Sequence, residues 1–103
     1  MSKYKAVKTN GYSSKKESKR ADDLRLMERA GLIAALREQV AYILAPSVIV
    51  QGRKRPPLRY IADFVYMLDG KEICEDVKGV ITPTYRIKRH LMKSVHGIDI
   101  KEV

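Results

Sequence analysis

One dipeptide does more than any other to limit how this chain can fold. Asp69-Gly70 stands between two runs rich in β-branched and aromatic residues, Tyr60-Ile-Ala-Asp-Phe-Val-Tyr-Met-Leu68 and Lys71-Glu-Ile-Cys-Glu-Asp-Val-Lys78. Asp-Gly between such runs favours a two-residue type I′ hairpin, because both central residues must take positive φ. With Asp69 and Gly70 as the loop, Leu68 faces Lys71, Val65 faces Cys74, Phe64 faces Glu75 and Asp63 faces Asp76. Side chains alternate along a strand. Asp63, Asp76 and Lys78 therefore share one face, and Glu75 points away.

That register sets two carboxylates opposite each other, which destabilises a sheet. Asp63 also sits among Ile61, Ala62, Phe64 and Val65, where an unpaired charge is poorly solvated. A divalent cation between the acids removes the conflict, and hard oxygen ligands suit Mg²⁺. A wet sheet edge, or neutralisation by Lys78, removes it equally well, so spacing alone leaves these readings side by side.

At 103 residues the chain has the length of one domain, and its formal charge of +9 points to a polyanionic partner, nucleic acid before an anionic membrane. No apolar run approaches the ~20 residues that span a bilayer, and no apolar segment follows the N-terminal lysines as in a secretory signal. A cytoplasmic protein is the expectation. Cys74 is the single cysteine, which excludes an internal disulfide and a cysteine-based zinc site. Its side chain is expected in packing.

Seven basic residues against one acidic fall in the first twenty positions. Residues 1–12 read as a basic arm with Lys3, Lys5 and Lys8, and residues 13–103 as the domain. The arm is either a solvated tail or a strand of charge along a phosphate backbone. Ser14 and Glu17 fit a capping box that starts a first helix, which runs to about Ala30 and stops at Gly31. Ala21, Leu24 and Met27 form part of its apolar stripe. Glu17 lies on the same side, as a cap or as a third metal ligand.

A first strand is expected over Leu36–Leu44, with Val48–Val50 extending or bending it. Residues 51–57 read as a loop whose tip carries Arg53, Lys54 and Arg55, because Pro56 and Pro57 cannot join a central ladder. That tip is a phosphate contact or an ordinary solvated turn. Gly79 ends the third strand. Thr82-Pro83 opens a second helix, with Ile87, Leu91 and Val95 as its core stripe and Gly97 as its stop. His90 and His96 have no ligand partner at a convincing spacing and read as surface residues. Ile98–Lys101 is a short final strand.

The order helix-strand-strand-strand-helix-strand, with Asp63 on strand two and Asp76-x-Lys78 on strand three, resembles the PD-(D/E)xK nuclease superfamily. The usual proline before the first acid is replaced by Ala62. More narrowly, Tyr12-x-Ser14-Lys15-x-Glu17, Tyr60-Ile-Ala-Asp-Phe64 and Glu75-Asp-Val-Lys-Gly79 resemble small phage-encoded endonuclease-like proteins, along nearly the whole chain.

The resemblance implies an α/β fold with a restriction-endonuclease-like core, a mixed sheet flanked by two helices. It implies an endonuclease that hydrolyses DNA phosphodiester bonds with Mg²⁺, or Mn²⁺ in its place, in the host cytoplasm. Asp63, Asp76 and Glu17, with the Val77 carbonyl, would hold metal, and Lys78 would act beside the attacked phosphate. Tyr85 and Lys88 would reach the DNA backbone. Holliday-junction resolvases of this fold act as homodimers on branched DNA, which is the first substrate expectation. A general phage endonuclease, or a non-catalytic basic protein that binds nucleic acid, are the alternatives.

Overall fold

The computed structural model describes residues 11, 12 and 14–103. The lysines Lys3, Lys5 and Lys8 of the basic arm lie outside the described residues. Helix α1 spans Lys15–Arg29 and helix α2 spans Pro83–His96. The strands are β1 (Ala34–Ala45), β2 (Val48–Val50), β3 (Arg53–Arg55), β4 (Leu58–Leu68), β5 (Lys71–Asp76) and β6 (Lys101–Glu102). Four of them form one sheet in the order β1-β4-β5-β6. Pairing is antiparallel from β1 to β5 and parallel between β5 and β6. The fold is mixed α/β.

Both helices start as the sequence dictates. The Ser14 hydroxyl accepts the Glu17 N–H at 3.1 Å, and the Thr82 hydroxyl accepts the Tyr85 N–H at 3.1 Å. Each satisfies an amide that the helix itself leaves open. The β4–β5 turn has φ 51° at Asp69 and 77° at Gly70, as a type I′ turn requires. Leu68 pairs with Lys71, Val65 with Cys74 and Phe64 with Glu75.

Each helix covers one face of the sheet. Ala21 and Leu24 of α1 pack with Ile33, Phe64 and Tyr66. Tyr85 and Met92 of α2 pack with Leu44, Tyr60, Ala62, Val65 and Cys74. Cys74 is a packing residue, and burial pushes its thiol up to about 12. Glu75 lies on the α1 side with no exposure, held by Arg20 at 2.6 and 2.8 Å and by the Tyr66 hydroxyl.

Four expectations need correction. The first strand is longer than Leu36–Leu44 and runs Ala34–Ala45. Arg53, Lys54 and Arg55 are not a loop tip; they form β3, paired antiparallel with β2. The turn is Gln51-Gly52, with φ 52° and 76°, so Gln-Gly takes the conformation that Asn-Gly or Asp-Gly would announce more plainly. Of the stripe Ile87, Leu91, Val95, only Leu91 packs against the core. Ile87 is 62% exposed and Val95 51%, while Tyr85 and Met92 are buried. The face that docks carries Tyr85, Leu91 and Met92. The final strand is shorter and later than expected, at Lys101–Glu102.

Candidate functional site

The β4–β5 hairpin ends where Asp63 and Asp76 meet. The regular pairs stop at Phe64–Glu75, and the two aspartates come one step beyond. β1 contributes a distortion at the same level. Gln39, which the β1–β4 register sets opposite Asp63, takes φ 53°, and both drop out of the regular pairs. The alternation of β4 slips there as well. Tyr60 and Ala62 pack on the α2 side, whereas Phe64 and Tyr66 pack on the α1 side. Such irregularities re-aim side chains at strand ends.

The Asp63 carboxylate accepts the Val77 N–H at 2.8 Å and the Gln39 amide at 3.4 Å. The same Gln39 amide nitrogen lies 3.5 Å from Glu17 Oε2, so it bridges helix and strand. Asp76 is buried, accepts the Tyr60 hydroxyl at 2.8 Å and pairs with Lys78 Nζ at 3.0 Å. Lys78 lies beyond the end of β5 rather than on it, yet its ammonium still reaches Asp76. The ammonium also sits 3.8 Å from the Tyr85 ring centre, in cation–π contact. Tyr85 is fixed in turn by its hydroxyl, which donates to Glu102 at 2.6 Å.

The backbone around Asp76 and Lys78 is held as firmly. Lys78 N–H donates to the Val103 carbonyl at 3.1 Å, and Val103 N–H donates to the Asp76 carbonyl at 3.0 Å. Lys16 of α1 donates to the Lys78 carbonyl at 3.1 Å. Helix α1 and the segment after α2 therefore converge on one tripeptide.

Electrostatics follow from this packing. The Asp63 carboxyl is pushed up to about 7. Burial is the main cause, followed by the neighbouring Asp76 carboxyl and repulsion from Glu17, while the Val77 N–H works against the shift. The Tyr60 hydroxyl is pushed far above its ordinary value by burial and by Asp76, so it remains a donor.

The three acids, Lys78, Tyr60 and Tyr85 line one cleft of about 690 Å³. Glu17, Asp63, Asp76 and Lys78 stand in its wall, and Tyr85 and Lys88 border it from the first turns of α2, which carry no acid in the opening turn. The structure brings together Glu17, Asp63, Asp76, Lys78, Tyr85 and Lys88, with Val77 between the two central residues. Arg53, Lys54 and Arg55 stand apart on the β2–β3 ribbon, although Pro57, Leu58 and Arg59 at its base reach the cleft rim. Gln39 and Tyr60 are site residues that the sequence did not reveal. Tyr60 has the strand signature of a core aromatic, and Gln39 acquires its place only through the β1 distortion.

The acids suit a hard cation in part. Among the described residues no group of three or more His, Cys, Asp and Glu side chains is arranged to hold a metal ion. Gln39 stands between Glu17 and Asp63 and bonds to both. Two neighbouring carboxyls, one half-buried and one buried, at a strand end nevertheless match Mg²⁺, which commonly binds through one or two carboxylates and keeps several waters.

No curated protein and no solved structure matches the chain. The family described as "Protein of unknown function (DUF1064)" matches residues 1–101, and with nearly the full length covered, the chain belongs to that family.

Proposed function

We propose that the cleft is the hydrolytic centre of a metal-dependent DNA endonuclease built on a PD-(D/E)xK, restriction-endonuclease-like core. One observation carries the reading. Asp63 and Asp76, from adjacent strands, meet at a strand end where Asp76 helps to raise the Asp63 carboxyl, and Lys78 stands 3.0 Å from Asp76. An acid pair that is costly in the isolated fold is retained beside an ammonium in an open cleft. A carboxyl perturbed as Asp63 is, in such a setting, points to function more than to packing.

Asp63 and Asp76 would hold the metal, with the Val77 carbonyl and Glu17 as further oxygen donors. A bound Mg²⁺ or Mn²⁺ supplies charge stabilisation at a phosphoryl oxygen and a more acidic water. The chain's own residues do the rest. Val77 N–H and Gln39 fix the Asp63 carboxylate, and Tyr60 fixes Asp76. Lys78, gripped between Asp76 and the Tyr85 ring, offers a compact positive charge to the phosphate as negative charge develops. Lys88 and Tyr85 border the path that a backbone would take through the cleft.

Branched duplex DNA is the first substrate in this proposal, cut by a homodimer of Holliday-junction resolvase type. The direct test is incubation with Mg²⁺ and a panel of linear, nicked, single-stranded and four-way-junction DNA. Cleavage that needs the metal and fails in Asp63→Asn supports the proposal. Wild-type protein that leaves every substrate intact in both Mg²⁺ and Mn²⁺ rejects it.

A further inference from the structure

Residues 46–59 form an unbroken exposed stretch. They carry Arg53, Lys54, Arg55 and Arg59 and no acidic residue. Within this stretch β2 and β3 pair only with each other, as a separate two-stranded sheet. Its sides differ in chemistry. The β3 edge is basic throughout, and the β2 edge is Val48, Ile49 and Val50, with Ile49 76% exposed. The pairs Val48–Arg55, Ile49–Lys54 and Val50–Arg53 place an aliphatic side chain beside a cation at every step. Neither face of the ribbon is purely apolar, so it is poorly suited to lie on a hydrophobic protein surface.

We infer that the β2–β3 ribbon is a duplex-binding arm that enters the major groove beside the cleft. The inference rests on the nuclease reading for the position of the cut, and on the ribbon alone for the binding. Dimensions select the groove. Two strands lie about 4.8 Å apart before side chains are added, which suits a major groove about 12 Å wide and not a minor groove about 6 Å wide. The basic β3 edge meets phosphates, and the aliphatic β2 edge meets base edges and thymine methyl groups.

The ribbon is also joined to the site. Pro57, Leu58 and Arg59, where β3 passes into β4, line the cleft that holds Asp63 and Asp76. At about 3.3 Å per residue, the turn at Gly52 stands up to roughly 20 Å from Leu58. That is about six base pairs at 3.4 Å each. The substrate must then be double-stranded on one side of the cut for about half a helical turn, a demand that single-stranded nucleic acid cannot meet.

The test measures binding without cutting, in Ca²⁺, with the full chain and with Asp63→Asn. The probes are a labelled 30-base-pair duplex and its single strand, titrated with salt. Wild-type protein is expected to prefer the duplex and to protect it on one side of the cleft-bound phosphate. The triple change Arg53→Ala, Lys54→Ala, Arg55→Ala should lower the slope of log affinity against log salt by up to about 2.7, at ~0.9 per phosphate contact. It should also abolish the duplex preference. The triple change Val48→Thr, Ile49→Thr, Val50→Thr keeps β-propensity and charge. It should lower duplex affinity about tenfold and leave the slope unchanged.

An unchanged slope and preference in the basic-edge variant would overturn the inference. So would a shift from oligomer to monomer in the aliphatic-edge variant with duplex affinity intact, since the ribbon would then bind a second copy. The nuclease reading fails separately. Arm-dependent duplex binding by a protein that never cuts in Mg²⁺ leaves the arm standing and removes the hydrolytic centre.

Discussion

Asp63 is the residue on which the site turns, and its protonation gives it a stability signature. Its ordinary value is 3.8, and in the fold it is pushed up to about 7. Between those limits the folded protein holds a proton that the unfolded chain has released. Stability therefore falls as pH rises from about 4 to about 7, and this contribution is gone above that. In a metal chelator, urea midpoints of wild-type protein should decline across this window, and Asp63→Asn should flatten the decline. At pH 8 without metal, the melting temperature of Asp63→Asn should equal or exceed that of wild type, with cleavage abolished. A variant that cuts at the wild-type rate would remove Asp63 from the metal set. Lys78 gives the complementary result. Lys78→Ala should lower single-turnover cleavage by orders of magnitude yet barely change DNA affinity in Ca²⁺, because it is one of 21 Lys and Arg residues. Lys78→Arg should also fail, since a planar guanidinium does not fit the place of an ammonium between Asp76 and the Tyr85 ring. Equal cleavage by wild type and both variants would leave Lys78 as a structural partner of Asp76.

At the scale of elements, each helix has one anchor that the site depends on. Arg20 of α1 reaches through its own face to Glu75, the residue next to Asp76. Burial alone would raise the Glu75 carboxyl, but the Arg20 guanidinium and the Tyr66 hydroxyl outweigh it and hold Glu75 below its ordinary 4.5. Stability from this pair is present above that value and lost as pH falls below it, the opposite sign from Asp63. Arg20→Ala leaves Glu75 buried without its main partner and should cost about 3 kcal/mol or more, read by urea denaturation at pH 7. A change within 0.5 kcal/mol would mean that water replaces the guanidinium. For α2 the docking face is Tyr85 and Met92. Met92→Ala should cost about 2–5 kcal/mol. Ile87→Gln and Val95→Gln, at exposed positions, should each stay within about 0.5 kcal/mol. Large losses at Ile87 and Val95 would restore the aliphatic stripe as the packed face.

Across the whole molecule the basic charge is spread over the N-terminal residues, the β2–β3 ribbon and α2. Deletion of Met1 to Lys8 removes Lys3, Lys5 and Lys8. If these residues meet phosphates, the salt slope of DNA binding should fall by up to about 2.7, at ~0.9 per contact. Salt titrations that superimpose would make them a solvated tail. No helix among the described residues is long and apolar enough to cross a membrane. The fold's mixed sheet places both helices against the same hairpin from opposite sides, so the cleft gathers groups from α1, β4, β5 and α2 at one end.

Local chemistry alone determined a large part of this. Asp69-Gly70 imposes a turn whose register brings Asp63 to Asp76, because positive φ at two successive residues has few other solutions. Ser14 and Thr82 start the helices, since their hydroxyls satisfy amides that the helices leave open. Glu17 falls on the buried side of α1 by helical spacing. The tertiary structure decided what local rules leave open. Helical spacing on α2 picked out Ile87, Leu91 and Val95, and only the space above the sheet selected Tyr85 and Met92 beside Leu91. Residues 51–57 contain prolines and cations that read as loop, and only pairing with Val48–Val50 made β3 a strand. Gln39 became a bridge between Glu17 and Asp63 because β1 distorts beside them, and a distortion of that kind is a property of the assembled sheet.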